Sequence, residues 1–457
     1  MDTITQVIKA CSDFLWGVPM LIMLFGTHLF LTVRLRFIQR HTFKAIRLSV
    51  TPDKGSEGDV SQFGALATAL AATIGTGNII GVSTAIALGG PGAVLWCWLT
   101  GVFGIATKYG ESLLAVKYRT RGPGGNFVGG PMYTIERGMG KKWLAVLFAA
   151  LTALATLGIG CTVQSHAISD VVHTTFGVPM ALSGAVITAL SAVVILGGVK
   201  VIARVCEKLV PFMSLFYMVG CAAILALNWR FLLPALGLIL QSAFGFDAVA
   251  GGFVGGGIMM ACRYGMARGL FSNESGLGTA PIAAAAAQTR NPVRQALVSM
   301  TGTFWDTVVV CAATGLVVVS SMVRQPAAFV GASDDAMTRL AFETLPGGQY
   351  VLTVALSIFA FTTILGWSFY GEKCIEYLCG PRAVLPYRVI FLAALFLGTV
   401  SSLDLIWNLS DLMNGLMAFP NLISVLALSG VIVSETKRYL WSGRLDDAAD
   451  QESEVVQ

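Results

Sequence analysis

Two short stretches carry most of the chemistry open to this chain. Ala71-Ala72-Thr73-Ile74-Gly75-Thr76-Gly77-Asn78 interrupts a run that has no ionisable residue between Val60 and Thr107. Gly269-Leu270-Phe271-Ser272-Asn273-Glu274-Ser275-Gly276 interrupts a second apolar run, between Gly251 and Gln288. Opening a helix inside an apolar layer frees amide N–H groups on one half and carbonyls on the other. The amides, at the positive end of a half-helix, suit a carboxylate, and the carbonyls suit a cation. Glycine at 75 and 77 permits the backbone angles and close ligand approach this needs. The competing use of Gly75, Gly77 and Gly81 is close packing between helices. A dinucleotide-binding loop fits less well, because the spacing is Gly-x-Gly-x-x-x-Gly and no strand surrounds it.

Further polar groups stand in otherwise apolar segments. Ser272 and Asn273 are placed to touch a ligand, while Glu274 either pairs with Arg268 or Arg263 or serves gating or proton transfer, since an acid at that depth is expensive. Gln164 follows Gly158-Ile159-Gly160-Cys161-Thr162-Val163. Its amide can donate to a carboxylate and accept from an ammonium, or simply bond a neighbouring helix. Thr362 and Thr363 offer hard oxygen ligands for a small cation, against the alternative that they bond back to their own helix. Trp367, one turn on, offers an apolar wall with one N–H, and with Phe271 it would exclude bulky side chains. His166 reads as interfacial or as a proton relay. Lys108 and Glu111, three apart on one helical face, read as a mutually neutralising structural pair.

The elements that must position these groups follow from composition. Of 457 residues, 55% are hydrophobic and 12% charged, against roughly 25% charged in soluble domains. A bilayer core takes roughly 20 apolar residues per helix. That rule gives eleven candidates, near 14–34, 62–86, 91–116, 143–168, 178–197, 209–228, 263–288, 296–323, 349–374, 386–403 and 411–434. The glycine- and phenylalanine-rich stretch 230–262 reads as an extracellular or re-entrant connector. Met1-Asp2-Thr3 lacks the basic start of a cleavable signal peptide, so the first span is expected to be retained. The nine cysteines form no CxxC pair and read as small buried hydrophobes.

Basic residues collect in alternate loops: Arg34/Arg36/Arg40/Lys44/Arg47, Lys117/Arg119/Arg121/Arg137/Lys141/Lys142, Lys200/Arg204/Lys208, Arg290/Arg294, Lys373/Arg382/Arg388 and Lys437/Arg438/Arg444. The intervening loops carry acids such as Asp170, Asp334, Asp335, Glu343 and Asp404. By the positive-inside rule the N-terminus lies outside and the C-terminus in the cytoplasm. The organisation read is a first helix with its basic loop (1–60), a five-helix group (61–229), the connector (230–262), a second five-helix group (263–440) and an acidic tail (441–457). A broken helix opens each group, and the two enter from opposite sides, the pattern of an inverted repeat.

These motifs resemble the alanine or glycine:cation symporters, also called sodium:alanine symporters. The resemblance is carried by Ala71 to Asn78, by Gly89-Gly90-Pro91-Gly92-Ala93-Val94-Leu95-Trp96-Cys97-Trp98, by Gly129-Gly130-Pro131-Met132-Tyr133 and by Arg268 to Gly276. It extends from about Phe14 to about Leu440, with Cys97 standing where methionine is commoner. It implies an all-α integral membrane protein with a five-plus-five core and one extra N-terminal helix, coupling sodium entry to uptake of small neutral amino acids such as alanine and glycine. Carried onto this chain, the amides around Gly75, Thr76 and Gly77 hold the substrate carboxylate. Asn78, Gln164, Ser272, Thr363 and Trp367 complete the pocket. By looser analogy with the wider inverted-repeat class, the carbonyls of Ala71 and Ile74 with Thr362 and Thr363 bind sodium.

The resemblance places the protein in the cell membrane of a prokaryote. The expected partners are the amino acid, sodium and the lipid bilayer, with no organic cofactor, nucleic acid or obligate protein partner. Among only four histidines no nucleophile–base or metal constellation is legible, which argues against an enzyme, and paired broken helices argue for alternating access over a channel. A proton-coupled transporter of the same fold, or one carrying another small amino acid such as serine, is the competing reading.

Overall fold

An apolar layer leaves no water to satisfy free backbone groups, so an apolar chain crosses it as helix. The computed structural model describes residues 2–53, 56–244, 257–333, 336–400 and 404–448, and these are helical almost throughout. Among them seven helices are long and apolar enough to span: Thr5–Arg34, Lys142–Phe176, Val199–Leu227, Pro292–Arg324, Gly348–Cys379, Pro381–Val400 and Leu405–Ala427. An eighth is the pair Gln62–Thr73 and Gly77–Gly89, bent by 52° at its break. Ala93–Lys117, Met180–Leu196 and the pair Ile258–Asn273 with Ala280–Ala285 lie on the remaining apolar segments. The expected acids Asp334 and Asp335, most of the acidic tail and residues 245–256 of the connector lie outside the described residues.

The exposed and buried faces show what surrounds the helices. On Met180–Leu196 the exposed side chains include Leu182, Val186, Leu190, Val193 and Leu196, whereas Ser183, Gly184 and Ser191 lie on the buried face with Ile187 and Ile195. Water would favour the reverse arrangement; lipid favours this one.

Some boundaries differ from expectation. Helix precedes the first expected span, as Asp2–Leu15, and Trp16 anchors the junction by donating its indole N–H to the Asp411 carbonyl at 3.1 Å. Lys200, Arg204 and Lys208 belong to the first turns of Val199–Leu227 rather than to a loop. Long basic side chains reach polar surroundings from within a helix end, so they do not force the helix to stop.

The basic clusters nevertheless meet at one end of the bundle. Glu57 holds Arg121 at 2.8 Å, and Asp53 holds Arg290 at 2.5 Å and Arg294 at 3.4 Å. Arg294 also reaches Asp446, Lys117 pairs with Glu435, and Arg36 lies over the Trp441 ring. Arg388 pairs with Glu372 and donates to the Leu196 carbonyl, while the Glu207 carboxylate accepts from Ser61. Arg119 donates to the carbonyls of Ala285, Ala287 and Glu57. Burial lowers its guanidinium to about 10, against the pull of Glu57 and Asp59, so it stays cationic at neutral pH. At the other end Arg324 reaches Asn228 and Thr175 bonds Thr353.

The two broken helices lie antiparallel. Ser61 caps the first by accepting from the Gly64 amide at 2.8 Å. Just before that cap, Val60 exchanges backbone bonds with the segment after the second: Val60 N–H to Ala286 O at 3.2 Å and Gln288 N–H to Val60 O at 2.8 Å. At the far end of the first broken helix, Gly89 packs against Met260 and Tyr264 near the start of the second.

Candidate transport site

The two breaks face each other across a small cavity with room for little more than a water-sized group in this arrangement of the helices. Its wall is Ala72, Thr73, Gly75, Thr76 and Gly77 from the first break, and Phe271, Ser272 and Glu274 from the second. Ile159 and Gln164, Thr363 and Trp367, and Asn414 supply the remaining sides.

At the first break the helix ends at Thr73, with Ile74 in an extended conformation, and helical geometry resumes by Gly77 as a widened π-helical stretch, Gly77–Gly81. None of its glycines has positive φ, so freedom of angle is not what position 75 uses. Space is. A Cβ on Gly75 would sit 2.5 Å from the Thr363 hydroxyl oxygen, whereas one on Gly77 would meet nothing nearer than 3.6 Å and one on Gly81 nothing within 4 Å. Asn78 holds the turn, its Oδ1 accepting from the Gly75 N–H at 2.9 Å. This differs from expectation twice. Asn78 stands behind the wall rather than in it, and the Gly75 amide is already partnered, which leaves the neighbouring amides to receive a ligand.

Gln164 is presented by a helix that also widens, over Gly158–Thr162. A Cβ on Gly160 would fall 2.1 Å from that of Trp367, so glycine there lets the helix press against the indole. Gln164 Nε2 donates to the Thr76 hydroxyl and to the Ile159 carbonyl, both at 3.1 Å. Among the described residues its Oε1 is buried without a partner, an acceptor in want of a donor.

On Gly348–Cys379 the expected trio separates. The Thr363 hydroxyl faces Gly75 and donates to the Phe359 carbonyl at 2.9 Å. The Thr362 hydroxyl donates to the same carbonyl and faces Met213, away from the break. Trp367 walls the cavity and donates to the Ala72 carbonyl at 3.3 Å. Ala71 and Ile74, the expected carbonyl ligands, are buried beside the break but not in the cavity wall.

At the second break Ser272 and Phe271 take the expected places. Asn273 does not: its Oδ1 accepts from the Ser275 N–H at 2.9 Å and its amide nitrogen points to Thr100. Glu274 pairs with neither Arg268 nor Arg263. It lines the cavity, with Oε2 accepting from the Thr279 hydroxyl at 2.5 Å. Lys108 and Glu111 do not form the expected ion pair either. The Glu111 Oε1 accepts from the Gly276 N–H and from Asn421, and the Lys108 ammonium makes no hydrogen bond among the described residues. Three residues apart on one helix brings two side chains to one face; which partner each takes is decided by the segment packed above, here the unwound Gly276. His166 meets the Gly398 carbonyl and the Trp407 ring.

Sequence reasoning passed over Asp306. It is fully buried in the Pro292–Arg324 helix and accepts from Asn78 at 2.7 Å, Ser272 at 3.0 Å and Thr307 at 2.6 Å. The available signal was an acid inside an expected span, between 296 and 323.

The apolar outer face, the paired antiparallel breaks and the polar cavity between them define a helical membrane transporter. Two solved structures share the fold. MhsT in complex with L-phenylalanine has a TM-score of 0.54 and 14% identity, over 83% of this chain and 98% of that one. A manganese transporter of Eremococcus coleocola has a TM-score of 0.52 and 16% identity, over 85% and 82%. The sodium:alanine symporter family profile matches residues 1–453, and the chain belongs to that family. It is 50% identical over 450 residues to the sodium/alanine symporter AgcS of Methanococcus maripaludis, covering 96% of this chain and 98% of that protein. It is 35% identical to the probable sodium/glutamine symporter GlnT of Bacillus subtilis, covering 95% and 90%. The chain is a transporter rather than an enzyme.

Proposed function

We propose that this protein couples sodium influx to uptake of alanine and similarly small neutral amino acids by alternating access. The observation that carries the reading is the convergence of both breaks, Gln164, Thr363 and Trp367 on one small cavity. Amides of Thr76 and Gly77 receive the substrate carboxylate. The unpartnered Gln164 Oε1 and the Glu274 carboxylate accept from its ammonium, and Phe271 and Trp367 limit its side chain. Sodium sits beside the cavity, held by the carbonyls of Ala71 and Ile74 and the Thr363 hydroxyl. Thr362, whose hydroxyl faces Met213, contributes least.

Eleven spans form the frame, as one N-terminal helix and two inverted five-helix repeats, 61–229 and 263–440, joined by the connector 230–262. The antiparallel broken helices support this division. Basic residues meeting at one end support a cytoplasmic C-terminus and an outer N-terminus in a prokaryotic cell membrane. Sodium favours the arrangement in which Gly75 and Thr363 are close, substrate favours the same arrangement, and that shared preference is the coupling free energy.

Uptake of labelled alanine into proteoliposomes, competed by unlabelled amino acids, tests the substrate assignment. Glycine and serine are expected to compete and leucine not to. Equal competition by leucine would overturn the small-pocket reading. Proton coupling, favoured by the buried carboxyl at Glu274, is separated by Glu274→Gln, which under that reading abolishes accumulation driven by a pH gradient while sparing exchange.

A further inference from the structure

We propose that Asp306 is a positioning residue of the transport site, holding the first break in its receptive shape through Asn78 and drawing the second break to it through Ser272. This rests on the reading that the substrate carboxylate is received at the first break. Asp306 is not part of the cavity wall. It lies near the middle of Pro292–Arg324, where that helix widens over Phe304–Cys311.

The donors that meet its carboxyl group include one from each break. Asn78 Nδ2 reaches Oδ1 at 2.7 Å, and the Ser272 hydroxyl reaches the two oxygens at 3.0 and 3.2 Å. Thr307 adds a third donor, at 2.6 Å to Oδ2. The Asp306 carbonyl also accepts from Asn78 Nδ2, at 3.2 Å. An asparagine amide has one donating and one accepting end. A carboxylate only accepts, so Asp306 fixes the donating end of Asn78 towards itself. The accepting end, Oδ1, is thereby turned to the Gly75 N–H. Gly75 in turn lies against the Thr363 hydroxyl. One carboxyl group thus fixes the amide that holds the Gly75 N–H, at the point where the first break packs against Thr363. Packing alone would not call for an acid at this depth, where it is costly.

The test exchanges the two side chains. Asn78→Asp removes the donor that Asp306 accepts from, whereas Asp306→Asn places an amide nitrogen against either Asn78 Nδ2 or the Ser272 and Thr307 hydroxyls, which must then turn from donors to acceptors. In the double variant the aspartate at 78 accepts from Gly75 and from the asparagine at 306, whose own oxygen still accepts from Ser272 and Thr307, while the bond from position 78 to the backbone carbonyl of residue 306 is not regained. Each single variant is expected to raise the half-saturating alanine concentration about tenfold, with maximal uptake reduced less. The double variant should return to within about threefold of wild type. Hydrogen exchange of the 71–81 segment in detergent should quicken in each single variant and slow again in the double.

Exchange reads the segment without reference to substrate, so a wild type that fails to take up alanine sinks the substrate reading while exchange still decides this one. Singles indistinguishable from wild type in both readouts, or a double variant no better than the worse single, would overturn the proposal. If a single variant does not fold, a double variant that folds and transports supports it, and one that folds without transporting overturns it.

Discussion

The two breaks solve one problem by different means. The first turns without any left-handed residue and depends on closeness: Gly75 sits where a Cβ would be 2.5 Å from Thr363. The second turns through three left-handed residues, Glu274 at φ 53°, Gly276 at 96° and Gly278 at 86°. Glutamate is a poor occupant of that region, and strain held at a cavity-lining residue points to function. The first break is therefore a contact surface that closes on a neighbour, and the second is a fixed bend that presents a carboxyl group.

If that contrast is right, glycine substitutions should fail differently at each break. The largest effect is expected for Gly276→Ala. It combines positive φ with a Cβ 2.3 Å from Leu24, for about 3 kcal/mol of destabilisation from strain and overpacking. Low yield and a lowered melting temperature in detergent would show it; a melt matching wild type would erase the contrast. Gly75→Ala should instead fold and lose more than about tenfold in uptake, since overpacking of roughly 1–3 kcal/mol falls on the contact with Thr363. Gly77→Ala, with no protein atom nearer than 3.6 Å, should melt like wild type, and any loss of uptake there falls on substrate affinity rather than on the fold.

Glu274→Gly sharpens the comparison further. Relief of backbone strain, about 1 kcal/mol, should keep or raise the melting temperature, while uptake falls with the lost carboxyl group. A fall in both would mean that Glu274 serves the fold first. At the first break, Thr363→Ala should raise the sodium concentration for half-maximal uptake about fivefold, the scale of one lost hydroxyl ligand. Thr362→Ala, whose hydroxyl faces Met213, should shift it less than about twofold. The smallest effect belongs to Gly81→Ala, which meets nothing within 4 Å and should leave both uptake and sodium activation unchanged.

Both breaks were legible in the sequence because polar and glycine residues are conspicuous in apolar runs. So were Gln164, Phe271, Ser272, Thr363 and Trp367, all of which reach the cavity. What the sequence could not supply was direction. Asn78 and Asn273 stand in the right segments but point away from the cavity, to Gly75 and Asp306 and to Ser275. Thr362 and Thr363 are adjacent, so a helix turns them about 100° apart and only one can face Gly75. Glu111 found the unwound Gly276 amide rather than Lys108, a partner that exists only once the second break is formed. Asp306 went unnoticed because its run carries no glycine break, although an acid inside a span is itself a signal. The helix boundaries slipped where Lys200, Arg204 and Lys208 looked like loop, since long cationic side chains read the same at a helix end.

Sodium-driven movement of a small amino acid through the cavity between the two breaks is the central claim to test. The most direct measurement is labelled alanine uptake into proteoliposomes under an inward sodium gradient, against an equal potassium gradient, at fixed pH and clamped voltage. An inward-negative potential adds about 2.3 kcal/mol per charge per 100 mV, so its size must be held constant. Accumulation above equilibrium is expected with sodium alone, lost in Gly75→Ala and kept in Gly81→Ala. Accumulation that ignores sodium and follows an imposed pH gradient would contradict the claim.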